Sequence, residues 1–238
     1  MFWYIRKKIK KIPGTWEAYN FIKSLVIKFR MRGKNTKEIF TDIYNRNKWK
    51  DPESCSGPGS NLTQAGVLIK ELPAIFKKYE ITSILDIPCG DFHWMDQINL
   101  TGIKYSGADI VEEMIGQNKR EHEGKEIEFI CLDIIRDFLP KVHLILVRDC
   151  FVHLANKDIL RALKNICKSG SEYLLTTTYI SRKKNIDIAA PSWRPINLEL
   201  PPFNLSPPLE VINEGCTERG DEYSDKSLGL WKISEIHV

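Results

Sequence analysis

The 238-residue sequence lacks any run of about 18 apolar residues, so no helix that crosses a membrane is expected. Cysteine is scarce and unpaired. The six cysteines (Cys55, Cys89, Cys131, Cys150, Cys167 and Cys216) form no C-x-x-C pair and no Cys/His spacing suited to zinc. Several lie in apolar runs, where a free thiol behaves as a small hydrophobe, and a reduced, cytoplasmic protein is the expectation. Internal repeats and low-complexity tracts are missing. The opening MFWYIRKKIKKIPG has no apolar stretch after its charges, so it does not read as a secretory signal. Acidic residues are nearly missing from the front. The first 50 residues hold 14 of the 35 basic side chains and only 3 of the 31 acidic ones. The body is therefore mildly acidic behind a basic arm.

What is present is a hydrophobic fraction of 42%, enough for one buried core at this length, beside 28% charged residues. The arm, residues 1–50, reads as a helical extension: one helix over 16–32, preceded by Pro13-Gly14, and a shorter one over 36–47. A turn-rich segment, 51–60, leads into a helix over 62–79 that Pro73 is expected to kink or divide. From residue 81 strands alternate with helices or loops. Strands are predicted at 84–87, 105–110, 128–133, 142–148 and 173–179, with helices at 112–121 and 157–168. This rhythm predicts a mostly parallel, doubly wound α/β sheet over residues 51–238, whose ligands bind beyond the carboxyl ends of the strands. Residues 180–208, rich in Pro and Asn, read as a long functional loop. Segments 209–213 and 228–233 read as a closing antiparallel strand pair.

The first strand ends in Asp86-Ile-Pro88-Cys-Gly90-Asp91. Glycine at position 90 would let backbone amides approach a ligand closely. Asp109 ends the second strand 23 residues after Asp86, where a carboxylate can accept from both hydroxyls of a ribose. Asp133 ends the third. Clustered carboxylates at three successive strand ends are costly unless something donates to them. A nicotinamide-binding fold would also use a ribose-binding acid, but G-x-G-x-x-G is absent. The strand–turn pattern resembles the first cofactor motif of class I S-adenosylmethionine (SAM)-dependent methyltransferases, a Rossmann-like fold. The resemblance implies that Asp86 faces the amino end of the SAM methionine, that Asp109 holds the ribose and that Asp133 lies near the adenine, with Ile110 and Ile134 as further cofactor contacts. Pro88, Gly90 and Arg148 complete the expected cofactor contacts.

From Trp49 to Trp231 the chain further resembles a group of bacterial and viral methyltransferases associated with glycan synthesis. The motifs are Ser56–Ser60 (SGPGS), 86–91 (DIPCGD), 148–154 (RDCFVHL), 174–178 (LLTTT), 193–198 (WRPINL) and Asp225-Lys226. This resemblance implies O-methylation of a sugar. Methyl transfer to a hydroxyl gains from a base that takes its proton, and His153, in the loop after the fourth strand, has a suitable reference pKa. Asp149 could orient the imidazole, bind sugar hydroxyls or serve as the base; a divalent metal on Asp149 is a lesser alternative. Ser56, Gly57, Gly59 and Ser60 suit a flap donating amides to the methionine carboxylate. Tyr179, Trp193, Arg194 and Asn197 suit a sugar ring and its hydroxyls.

The basic arm reads either as a solvated face or as an interfacial helix. In the second case residues 1–35 would rest peripherally on anionic lipid, with Trp3, Tyr4, Trp16, Phe21 and Phe29 facing it. Nucleic acid ranks last, because the charge lies outside the catalytic half. The rival functions are a methyltransferase for a small molecule, protein or nucleic acid, and a catalytically silent scaffold in glycan assembly. An Asn/Asp-Pro-Pro-Tyr loop, typical of amino-methylating enzymes, is missing.

Overall fold

Two periodicities build the molecule, whose computed structural model describes residues 33–238. The helix expected over 16–32, and any lipid contact through it, lie outside the described residues. Helix α1 (Thr36–Asn45) starts at a capping box: Asn35 accepts from the Glu38 amide while the Glu38 carboxylate accepts from the Asn35 amide. Helix α2 (Leu62–Lys78) is capped by Asn61 and runs unbroken through Pro73. Its apolar face, Ala65, Leu68, Leu72 and Phe76, is wholly buried, and that packing holds the helix in one piece.

The strands are β1 (Ser83–Asp86), β2 (Lys104–Asp109), β3 (Ile127–Cys131), β4 (Leu144–Val147), β5 (Tyr173–Tyr179), β6 (Glu210–Asn213) and β7 (Lys226–Lys232). Helices α3 (Glu112–Glu121) and α4 (Asn156–Lys168) complete the α-helices among the described residues. The sheet order is β3-β2-β1-β4-β5-β7-β6. The first five strands are parallel; β7 is antiparallel to β5, and β6 to β7. The mostly parallel sheet with a closing antiparallel pair is thus present as expected, and segment 180–208 contains no helix or strand.

Strand β4 shows why both faces are covered. Ile145 and Val147 point into a core with α4 residues Ile159, Leu163 and Ile166. Leu144 and Leu146 point into the opposite core with α2 residues Leu68 and Leu72. Each such side chain contributes roughly 1.5–3 kcal/mol through burial. Strand β3 stops two residues earlier than expected. Asp133 turns the chain, its carboxylate accepting the Ile135 amide and its carbonyl accepting the Arg136 and Asp137 amides. Strand β7 begins two residues early, and Lys226 enters the sheet opposite Tyr179. Among the described residues no helix is long and apolar enough to cross a membrane.

Candidate active site

The chain runs outward through β1, β2 and β3 and then returns to β4, leaving a crevice at the carboxyl ends of these strands. A cavity of about 680 Å³ fills it. Every residue expected to meet the cofactor lines this cavity: Ser56, Gly57, Gly59, Ser60, Asp86, Pro88, Gly90, Asp109, Ile110, Asp133, Ile134 and Arg148. His153, Asp149, Tyr179 and Trp193 line it as well.

The flap is latched to the turn after β1. Asp91 accepts from the Ser54 hydroxyl (2.8 Å), the Cys55 amide (2.8 Å) and the Ser56 hydroxyl (3.0 Å). The Asp91 amide in turn donates to Ser56 Oγ at 2.9 Å. Gly90 has φ +57°, and a Cβ there would lie 2.2 Å from Ser56 Oγ, so close approach as well as conformation requires glycine. Gly59 rests on the far wall in the same way, a Cβ being 2.7 Å from Asp149 Oδ2. Cys55, half-buried beside Asp91, has its thiol pushed up to about 12 by burial and that carboxylate.

Asp86 is 1% exposed. Its Oδ2 accepts from the Tyr105 hydroxyl at 2.6 Å, while Oδ1 is buried without a partner. Burial pushes its carboxyl up to about 7. Asp109 accepts the Val111 amide (2.9 Å) and the Gly90 amide (3.3 Å), and burial pushes it up to about 6. Burial raises Asp133 as well. Ionising these groups in the folded state costs free energy that the protein alone does not recover.

As pH rises from about 4 towards 7, the unfolded chain releases the Asp86 proton before the folded chain does, so stability falls. Asp86→Asn keeps an acceptor for Tyr105 and removes this loss. We expect equal stability near pH 4 and a gain on the order of 2 kcal/mol for the variant near pH 8, read from urea unfolding. Equal stabilities near pH 8 would contradict the assignment of an unpaired buried carboxylate.

Across the cavity, after β4, four charges alternate. Arg148 Nη2 donates to Glu214 Oε2 at 2.6 Å, and Lys226 Nζ lies 2.6 Å from Asp149 Oδ2 and 3.3 Å from Glu214. Asp149 has φ +51°, a left-handed conformation rare outside glycine, with its amide donating to Thr177 Oγ1. No hydrogen bond joins Asp149 to His153 among the described residues. The Ser192 carbonyl, 3.2 Å from Nδ1, orients the imidazole instead. Arg148 belongs chiefly to Glu214 and also packs over the Trp94 ring at 5.0 Å. The described residues present no cluster of three metal-ligating side chains.

Two expected substrate residues turn away from the cavity. Arg194 is buried, with donors to the carbonyls of Phe151 (2.6 Å) and Ile186 (3.2 Å) and to Asn156 Oδ1 (2.9 Å). Asn197 is buried too, tying the loop through the Ile180 and Arg182 carbonyls and the Glu199 amide. A loop without regular structure has backbone groups to satisfy, and these two side chains satisfy them. Among the wall residues that were not anticipated are Lys226, as a cavity group, Trp49 and Phe40. A boundary at residue 50 therefore falls inside the cavity wall, which α1 helps to build through Lys37–Glu112 and Tyr44–Gln117.

The sequence matches no family model, and no curated protein is similar enough to match it. Solved structures do match in fold. The mitomycin 7-O-methyltransferase MmcR shares 14% identity at a TM-score of 0.62, over 93% of this chain and 69% of its own. Human N-acetylserotonin methyltransferase in complex with SAM shares 14% at 0.59, over 90% and 67%. PigF with SAH shares 13% at 0.58, over 90% and 70%. At these identities the likeness is one of fold: the chain has the Rossmann-like class I methyltransferase fold.

Proposed function

We propose that this chain transfers a methyl group from SAM to a hydroxyl, that of a sugar in a glycan or glycolipid. One observation carries the reading. A single cavity at the switch point presents carboxylates at the ends of β1 and β2 and just beyond β3, and the His153 imidazole lines the same cavity. Its volume is in the range of small-ligand sites. The orphaned Asp86 Oδ1 suits a ligand bearing an ammonium group. Asp109 suits the ribose hydroxyls, Asp133 the adenine amino group, and the latched flap with Ser56, Gly57, Gly59 and Ser60 the carboxylate. Bound SAM supplies an electrophilic methyl carbon.

The chain's own residues handle the acceptor proton. A carbonyl only accepts, so the Ser192 contact places the imidazole hydrogen on Nδ1 and leaves the Nε2 lone pair for the acceptor hydroxyl. Burial lowers the His153 pKa below 6.5, which keeps the ring neutral at pH 7. The Asp149 carboxylate stabilises the imidazolium through space once the proton arrives. Trp193, partly exposed on the cavity wall, offers a ring to the acceptor, with Tyr179 buried behind it, and Asp149 with Lys226 offers groups for its hydroxyls. Hydroxyl methylation is supported by one neighbour in fold, the mitomycin 7-O-methyltransferase, and the sugar by the motif resemblance.

His153→Ala should lower methyl transfer by about 10²-fold or more. The wild-type rate should fall on the acid side as the imidazole protonates. Both are read with methyl-labelled SAM against a panel of mono- and oligosaccharides. A variant within threefold of wild type, or transfer to amines alone, would sink the reading.

A further inference from the structure

We propose that Trp49 is a positioning residue: it covers His153 and holds the imidazole oriented at the acceptor end of the cavity. This rests on the role given to His153 above. The Trp49 ring lies 5.7 Å from the imidazole, centroid to centroid, inclined at 35°. It also meets the Phe40 ring, centroid to centroid at 6.4 Å. The flap is shaped around it, since a Cβ on Gly57 would sit 3.0 Å from Trp49 Cβ. Gly57 also has φ +100°, so glycine is required twice over. Trp49 thus touches both the flap and the base, two parts of the site that are far apart in sequence.

The turn that presents Trp49 is built for it. Asn47 (φ 42°) and Lys50 (φ 54°) both hold left-handed backbone, a conformation that costs a side-chain-bearing residue roughly 1–2 kcal/mol. The Lys48 amide donates to the Ile43 carbonyl, Lys48 Nζ pairs with Asp42, and the Asn47 side chain accepts the Lys50 amide. These bonds fix the exit from α1 and offset the strain. A residue that merely filled a surface groove would need neither two strained neighbours nor a glycine facing it.

The groups facing His153 from the remaining sides are few. Asp149 favours its protonated form, as does the nearby Pro191 carbonyl, Arg194 opposes it, and the Ser192 carbonyl accepts from Nδ1. The dominant influence is exclusion of water, and Trp49 is the aromatic ring over the imidazole. Removing that ring should let water reach the imidazole and favour the charged form.

The test follows the His153 resonance by NMR across pH in the full chain, assigned among the five histidines by its loss in His153→Gln. In Trp49→Ala the midpoint should rise towards 6.5, and the acid limb of the kcat/KM profile should move up with it, with kcat falling about tenfold. Trp49→Phe should keep the wild-type midpoint. If the alanine chain does not fold, Trp49→Leu, which keeps apolar volume but not the ring, takes its place. An unchanged midpoint in the Ala or Leu chain, or a Phe chain that behaves like them, would overturn the proposal. The titration is read on the protein alone. A wild-type chain that methylates nothing would therefore count against the proposed function and leave the Trp49 result standing.

Discussion

Lys226→Met should lower the unfolding free energy by about 3–5 kcal/mol, the range expected when one member of a buried ion network is removed. The Lys226 side chain is 3% exposed and serves two carboxylates, Asp149 at 2.6 Å and Glu214 at 3.3 Å. Without it, both would share Arg148, which lies 2.6 Å from Glu214 and 3.9 Å from Asp149. Glu214 is 1% exposed and already has one oxygen without a partner, so it has no access to water to compensate. The pH dependence has two arms. Burial alone would raise the Asp149 carboxyl, but Lys226 and then Arg148 hold it below its usual 3.8. Its stabilising contribution is therefore present above about pH 4 and lost as pH falls through the folded value. Burial alone would lower Lys226, but Asp149 and Glu214 raise it above 10.5. That contribution is present below about pH 10 and lost as pH rises past it. Lys226→Met removes both arms. Adding Asp149→Asn should restore at least half of the lost stability, because the uncompensated charge goes with it. Urea unfolding at pH 7 measures both. A loss under about 1 kcal/mol, or no recovery in the double variant, would contradict the network.

How far the sequence announced this site depends on the range of the interactions involved. The strands of the parallel sheet are short apolar runs, and Asp86 and Asp109 stand at their ends because the alternation puts them there. Those positions follow from local pattern. The loop after β4 is also local, so His153 and Asp149 could be placed on the far wall. Glu214 and Lys226 could not. Glu214 receives no reading from the sequence and Lys226 only a place in the Asp225-Lys226 motif, without a role; the β6–β7 hairpin, packed on β5, carries them to Arg148 and Asp149, more than 60 residues away in sequence. Arg194 and Asn197 have the residue types of a sugar site, but a long loop must first satisfy its own carbonyls and amides, and these side chains are consumed there. Trp49 was hidden by its company. The charge of the first 50 residues dominates the local pattern, and nothing within ten residues of Trp49 signals an imidazole more than 100 residues ahead.

The most direct test of the central claim is calorimetric titration of the purified chain with SAM and with S-adenosylhomocysteine, beside Asp109→Ala. Asp109 is buried at the tip of β2 and spends one oxygen on each of two amides, at 2.9 and 3.3 Å, so each oxygen retains acceptor capacity towards the cavity. Losing two charge-assisted hydrogen bonds to a ribose is worth about 3–6 kcal/mol, or 10²-fold and more in affinity. The wild type should bind both ligands in the micromolar range, and the variant, still folded, should bind at least 100-fold more weakly. No binding of either ligand by the wild type, or equal binding by the variant, would contradict it.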